Sequence, residues 1–92
     1  MTDRPSHYRH SDAASHLTAR EVSVLMLVAG GWTNKSVAGR LGISRKTVET
    51  YVHRLYRKIL GEDLDDGKSH RVEIAVRYWR WVREATDSAG AG

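Results

Sequence analysis

Apolar positions along the chain gather into four blocks with helical spacing, separated by short polar or glycine-containing breaks. The first sixteen residues, "MTDRPSHYRHSDAASH", show no apolar period and hold the single proline, so 1–16 reads as a flexible arm. The pattern changes at "LTARE". Thr18 with Glu21 three residues on is a capping box, and Leu17 stands where a hydrophobic staple would be. A helix over 19–30 follows, with Val22, Leu25, Met26 and Ala29 as its main buried stripe, Val24, Leu27 and Val28 widening it, and Gly30-Gly31 ending it. After Thr33 a second helix over 34–41 turns Val37, Ala38 and Leu41 inward and stops at Gly42. Ser44 caps a third over 45–60; "GEDLDDGK" reads as a loop, and a fourth helix over 70–85 starts after Ser69. No period-2 alternation and no internal repeat occurs. The expected fold is all-α, four helices in one domain over 17–86, with a flexible tail at 87–92.

The third helix has two unlike faces. At about 100° per residue, Val48, Val52, Leu55 and Ile59 share one narrow sector, which should face the core. Lys46, Thr50, His53 and Arg57 occupy the opposite sector, flanked by Glu49 and Arg54. A solubilising face usually mixes Glu and Lys at i,i+4, whereas this one joins cations to Thr and His, short groups able to reach base edges. The preceding stretch, "VAGRLGISRKTVETY", has helix-turn-helix spacing. Two short helices crossing steeply need a small side chain at the approach, here Ala38, and a residue tolerant of positive φ at the turn, here Gly42. Ile43 is placed to plug the gap between them. The expectation is therefore a bundle-like helix-turn-helix domain.

Two apolar stripes run along the fourth helix. Val72, Ala75, Val76, Trp79 and Val82 are expected to pack on the first and third helices. Ile74, Tyr78, Trp81 and Ala85 lie roughly 130° away, and an apolar face of that size is seldom left to water. It is expected to form a homodimer interface or to dock a regulatory protein. Arg71, Arg77, Arg80 and Arg83 surround the stripes and read mostly as solvated.

Composition narrows the function classes. With 92 residues and 40% apolar content, one modest core is the expectation. There is no cysteine, hence no disulfide or thiolate metal site, which fits a reducing cytoplasm. The longest apolar run falls far short of the roughly 20 residues that span a bilayer. Net charge is +4, but residues 44–60 hold Arg45, Lys46, Arg54, Arg57 and Lys58 against Glu49, while 61–67 hold Glu62, Asp63, Asp65 and Asp66 and no cation. A basic helix beside an acidic loop points to an anionic partner, for a small domain usually nucleic acid, against the plainer reading of a solvated face. His7, His10 and His16 in a polar arm read as solvated side chains rather than metal ligands, and Asp65-Asp66 as solvated loop acids. No nucleophile or phosphate-binding glycine loop accompanies them, so neither an enzyme nor a cofactor or metal is expected.

From residue 17 to about 82 the chain resembles the LuxR-type (GerE/FixJ-like) DNA-binding domains of bacterial transcription factors. The resemblance rests on "LTAREVSVLMLVAGGWTNKSVAGRLGISRKTVETYVHRLYRKIL" followed by "RVEIAV". A sigma-factor region 4 module uses a similar helix-turn-helix, but "LTARE" and "TNKSVAGRLGIS" fit the LuxR type. The resemblance implies sequence-specific binding of double-stranded DNA and transcription regulation in the bacterial cytoplasm (nucleoid), with the third helix in the major groove and dimer contacts through the fourth. It implies base contacts for Glu49, Thr50 and His53, and phosphate contacts for Thr33, Asn34 and Lys35 at the entry to the second helix. Arg45, Lys46, Arg54, Arg57 and Lys58 are further phosphate candidates. Tyr51 stands where the family most often has His, Ser36 where it often has Glu, and the acidic loop is longer than usual. Family members commonly carry a receiver or ligand-binding domain upstream; sixteen residues are too few for either, so regulation through abundance, a partner or the arm is expected. The competing reading is a protein interaction module that keeps the fold and acts through a partner transcription factor.

Overall fold

The computed structural model describes residues 16–61 and 69–91, with side chains to residue 87. Arm residues 1–15, with His7 and His10, and loop residues 62–68, with the four acids, lie outside the described residues. Four helices are present: α1 (Ala19–Ala29), α2 (Asn34–Leu41), α3 (Arg45–Leu55), which runs directly into a π-helical turn (Tyr56–Leu60), and α4 (His70–Ala91). The described residues contain no strand, and the fold is all-α. Residues 87–91, expected to be tail, continue α4.

Local chemistry sets the helix ends. The Glu21 N–H donates to Thr18 Oγ1 at 3.1 Å, and the Thr18 N–H donates to Glu21 Oε1 at 2.8 Å, completing the capping box. The hydroxyls of Thr33 and Ser44 accept from the N–H groups of Ser36 and Thr47, at 3.1 and 3.0 Å, and so start α2 and α3. Gly31, at φ 96°, ends the α1 region, and the Trp32 N–H folds back onto the Leu27 carbonyl at 3.1 Å. Gly42, at φ 70°, makes the turn between α2 and α3.

Among the described residues, the buried apolar core is formed by Val24, Leu25 and Val28 of α1, Val37 and Ala38 of α2, Val48, Val52 and Leu55 of α3, Ile59 and Leu60 of the π-helical turn, and Ile74 of α4. The inner stripe of α3 is the expected one, but its last five residues are π-helical rather than α-helical. The wider turn lets the adjacent Ile59 and Leu60 both reach the core. α3 packs on α1 and α2, while α4 closes the core against α1 and the π-helical turn.

Two rotations differ from the sequence expectation. In α1 the buried face is Glu21, Val24, Leu25 and Val28, one residue step from the expected stripe, and Met26 is 50% exposed. This helix is apolar around most of its circumference, so periodicity defines the helix without defining its rotation. In α4 the two faces are exchanged. Ile74 is fully buried, and Tyr78 and Trp81 pack on the core, so these residues are not a free dimer or partner face; Ala85 is exposed one turn beyond. Val72, Val76, Trp79 and Val82 are exposed instead, although the Trp79 indole N–H donates to the Ala29 carbonyl of α1 at 3.0 Å. One turn before Ile74, Arg71 donates to the Trp32 carbonyl at 2.7 Å and to Asn34 Oδ1 at 2.9 Å, tying the start of α4 to the α1–α2 connection in this rotation.

Among the described residues Glu21 is the one charged residue in the buried set, at 1% exposure, and Lys58 meets it there. The Lys58 ammonium donates to Glu21 Oε1 at 2.9 Å and to the His16 carbonyl at 3.2 Å. Burial pushes the Glu21 carboxyl up, but the Thr18 backbone N–H, the Lys58 hydrogen bond and charge, and the charge of Arg54 together outweigh it and hold the group below its usual 4.5. A carboxyl depressed by folding contributes stability above its unfolded pKa, and that contribution is lost as pH falls through the folded value. Lys58→Met should therefore cost about 2 kcal/mol at pH 7, where a buried carboxylate loses its charged donor. The deficit relative to wild type should narrow below pH 4.5. Urea unfolding at pH 7 and pH 3 measures both; an equal deficit at the two would exclude the ion pair as its cause.

Candidate nucleic-acid interface

The turn from α2 into α3 fixes what α3 presents. The Ala38 carbonyl accepts from both the Gly42 N–H at 2.9 Å and the Ile43 N–H at 3.1 Å, closing α2 and reversing the chain in one step. Ile43 packs partly buried against the core, and Ser44 begins α3 at once. With Val48, Val52 and Leu55 inside, the opposite side of α3 is left to solvent.

An open recess on that side is lined by Glu49, Thr50, His53, Arg54 and Arg57, so the residues expected to face bases stand together with two of the cations. The Thr50 hydroxyl donates to the Lys46 carbonyl at 3.2 Å, which spends its proton and leaves its lone pairs as acceptors. The Arg54 guanidinium lies 5.7 Å from the Tyr51 ring centre, and the His53 ring meets Tyr56 edge-on at 6.5 Å. The Arg45–Glu49 ion pair spans 3.8 Å with both side chains at least half exposed, a weak restraint that leaves Glu49 able to accept from a base edge.

A second open recess is lined by Trp32, Thr33, Asn34, Lys35, Arg45 and Arg71 with Gly31. It gathers the expected entry residues of α2, though not as free groups. Thr33 is occupied as the cap and donates its hydroxyl to Ser36 Oγ at 3.1 Å, and Asn34 Oδ1 is taken by Arg71. Lys35 and Lys46 are exposed. Lys58 departs from its expected role: its ammonium points to Glu21, away from the outer face of α3. Arg71, read from sequence as a solvated cation, instead joins α4 to the α1–α2 connection. Arg40 was not singled out, and its guanidinium stacks 5.1 Å from the Trp32 ring centre. The contact of Arg71 with Asn34 leaves no signature in the spacing, because the two residues are 37 apart. Among the described residues no three His, Cys, Asp or Glu gather as a metal site, and no helix is long and apolar enough to cross a membrane.

A steep two-helix turn presenting a polar and basic outer face defines a helix-turn-helix domain. Residues 15–64 match the family described as bacterial regulatory proteins, luxR family. That is more than half of the chain, and the chain belongs to this family, one of DNA-binding transcription regulators rather than enzymes. It is similar to the "Probable transcriptional regulatory protein SgaR" of Hyphomicrobium methylovorum, 48% identical over 48 residues, which cover 52% of this chain and 23% of that protein. The aligned stretch thus spans under a quarter of the relative's length. No solved structure matches the chain.

Since Gly42 holds a left-handed conformation, Gly42→Ala should destabilise the domain by about 1 kcal/mol, or about 4–8 °C in Tm. No side chain lies near enough to add a clash, so a thermal melt reads the backbone cost alone.

Proposed function

We propose that the chain binds double-stranded DNA sequence-specifically, with α3 in the major groove, and regulates transcription as a dimer. One observation carries the reading: Glu49, Thr50 and His53 share an open recess with Arg54 and Arg57 on the face of α3 opposite its buried stripe. Acceptors and donors able to discriminate base edges thus stand beside cations able to hold phosphates. The family and the printed name of its relative support regulation of transcription as the outcome.

With the Ile74 face inside the core, the dimer surface is assigned to the exposed stripe Val72, Val76, Trp79 and Val82. Four apolar side chains on the outward face of one helix make a surface suited to a second copy across a two-fold axis. Such a dimer would read two half-sites about one helical turn apart.

Selection of bound duplexes from a random pool at physiological salt tests the reading. An enriched inverted repeat is expected, and no enrichment would refute sequence-specific binding. On the selected site, Thr50→Ala and His53→Ala should each relax preference at one base pair by about 1–3 kcal/mol. Arg57→Ala should weaken all sequences alike; equal losses from all three would argue against direct readout by this face. Sedimentation of the DNA-bound protein tests the dimer: Trp79→Glu should give one chain where wild type gives two. Trp81→Glu should instead lower the melting temperature, because Trp81 packs on the core. A wild type that sediments as one chain on its selected site would refute the dimer and favour docking of a separate protein on the same stripe.

A further inference from the structure

We infer that Glu49 and Thr50 read exocyclic amino groups in the major groove, Glu49 that of a cytosine and Thr50 that of a cytosine or adenine at a neighbouring position. This rests on the DNA-binding reading above and adds to it the chemistry of the bases selected.

The two residues are adjacent, both are exposed, and both line the recess on the outer side of α3. Each presents acceptors. An ionised carboxylate has no donor, and the Thr50 hydroxyl donates its proton to the Lys46 carbonyl at 3.2 Å, so its oxygen meets a ligand through lone pairs. In the major groove the donors are the N4 amino group of cytosine and the N6 amino group of adenine, whereas guanine offers the acceptors N7 and O6 and thymine the acceptor O4. Paired acceptors on the protein therefore reject guanine and thymine edges by repulsion as well as favouring amino groups. The His53 imidazole can present a donor or an acceptor and carries no such preference.

Glu49 separates the two amino-bearing bases further. On adenine the N6 donor lies beside the N7 acceptor, which repels the second carboxylate oxygen. On cytosine the N4 donor lies beside a C–H edge, which does not, so cytosine fits a carboxylate best.

The fold itself draws little from this carboxylate. Its contact with Arg45 spans 3.8 Å between side chains at least half exposed, and the arginine precedes the acid, the weaker order for an i,i+4 pair. Toward DNA a carboxylate is repelled by phosphate, and Arg54 and Arg57 in the same recess offset that repulsion. Glu49 can thus approach the groove, where it contributes discrimination between bases rather than overall affinity.

The test uses the full chain and duplexes selected from a random pool. Glu49→Ala should bind unselected duplex at least as tightly as wild type, because a repulsion is removed, while losing preference at one C·G pair. Glu49→Gln should move that preference to A·T, since an amide pairs with N6 and N7 of adenine together. Thr50→Val, which removes the acceptor, should relax a neighbouring position. A base pair presents both strands, so single-atom changes in the selected duplex, read by fluorescence anisotropy, assign the contact. Replacing the cytosine by 2-pyrimidinone, which lacks the amino group, should weaken wild type roughly fivefold or more and leave Glu49→Ala unaffected. Replacing the opposite guanine by 7-deazaguanine should change neither, and melting curves of protein and duplex show that each is intact. An A·T pair at the Glu49-sensitive position of wild type, an equal loss from Glu49→Ala on every duplex, a response to 7-deazaguanine, or a 2-pyrimidinone loss that persists in Glu49→Ala would each overturn the Glu49 assignment while leaving DNA binding intact. Thr50→Val with unchanged preference would overturn that of Thr50. A wild type that enriches no sequence would overturn the DNA reading itself, and this readout with it.

Discussion

The carbonyl of Ala38 takes two backbone donors, the N–H groups of Gly42 and Ile43, and the course of α3 follows from that junction. Ala38 is itself buried between helices, so its methyl group sets how closely α2 approaches α3. Only Gly42, Ile43 and Ser44 separate the two helices, which leaves no slack to absorb a change in their angle. Val37 on one side and Val48 on the other are wholly enclosed, and together they prevent either helix from rotating. The helical repeat then has one outcome: residues 49, 50, 53 and 57 face outward as a group. The outward face of α3 is thus a consequence of backbone geometry and two small residues rather than of contacts within that face itself.

A helix fixed only at its N-terminal end could still swing at the other. The ion pair between Lys58 and Glu21 restrains that end, tying the π-helical turn after α3 to the first turn of α1. Glu21 serves twice, since Oε1 accepts both the Thr18 N–H and the Lys58 ammonium. The cap that starts α1 and the tie that holds α3 therefore share a single oxygen. Such an arrangement is legible only in part from sequence. The capping box is a local pattern and was read from "LTARE", whereas the partner of its glutamate lies 37 residues on and carries no local signature. From local sequence alone Lys58 is indistinguishable from the outward cations of α3.

The same distinction separates the rest of what could be read. α3 was legible because its two faces differ in kind, apolar against charged, so period alone oriented it. α4 was legible as a helix but not as a rotation, because both of its stripes are apolar and each holds a tryptophan. The observed rotation comes with a contact outside the helix that spacing does not reveal, the fork of Arg71 on Trp32 and Asn34. α1 fails in the same way, since Val22 and Met26 are as apolar as Val24 and Val28 and only the burial of Glu21 decides. Periodicity identifies elements; long-range polar contacts orient them when hydrophobicity is degenerate.

The same contacts redistribute the positive charge. Sequence places five cations between residues 44 and 60, and a count of charge would assign all of them to phosphate. In the fold Lys58 is committed inward, Arg45 has Glu49 within 3.8 Å, and Arg54 rests over Tyr51, while Arg71, outside that segment, stands with Lys35 at the second recess. The basic surface is therefore built by three helices instead of one. Counter-ion release depends on cations that can reach a phosphate, not on those the sequence contains.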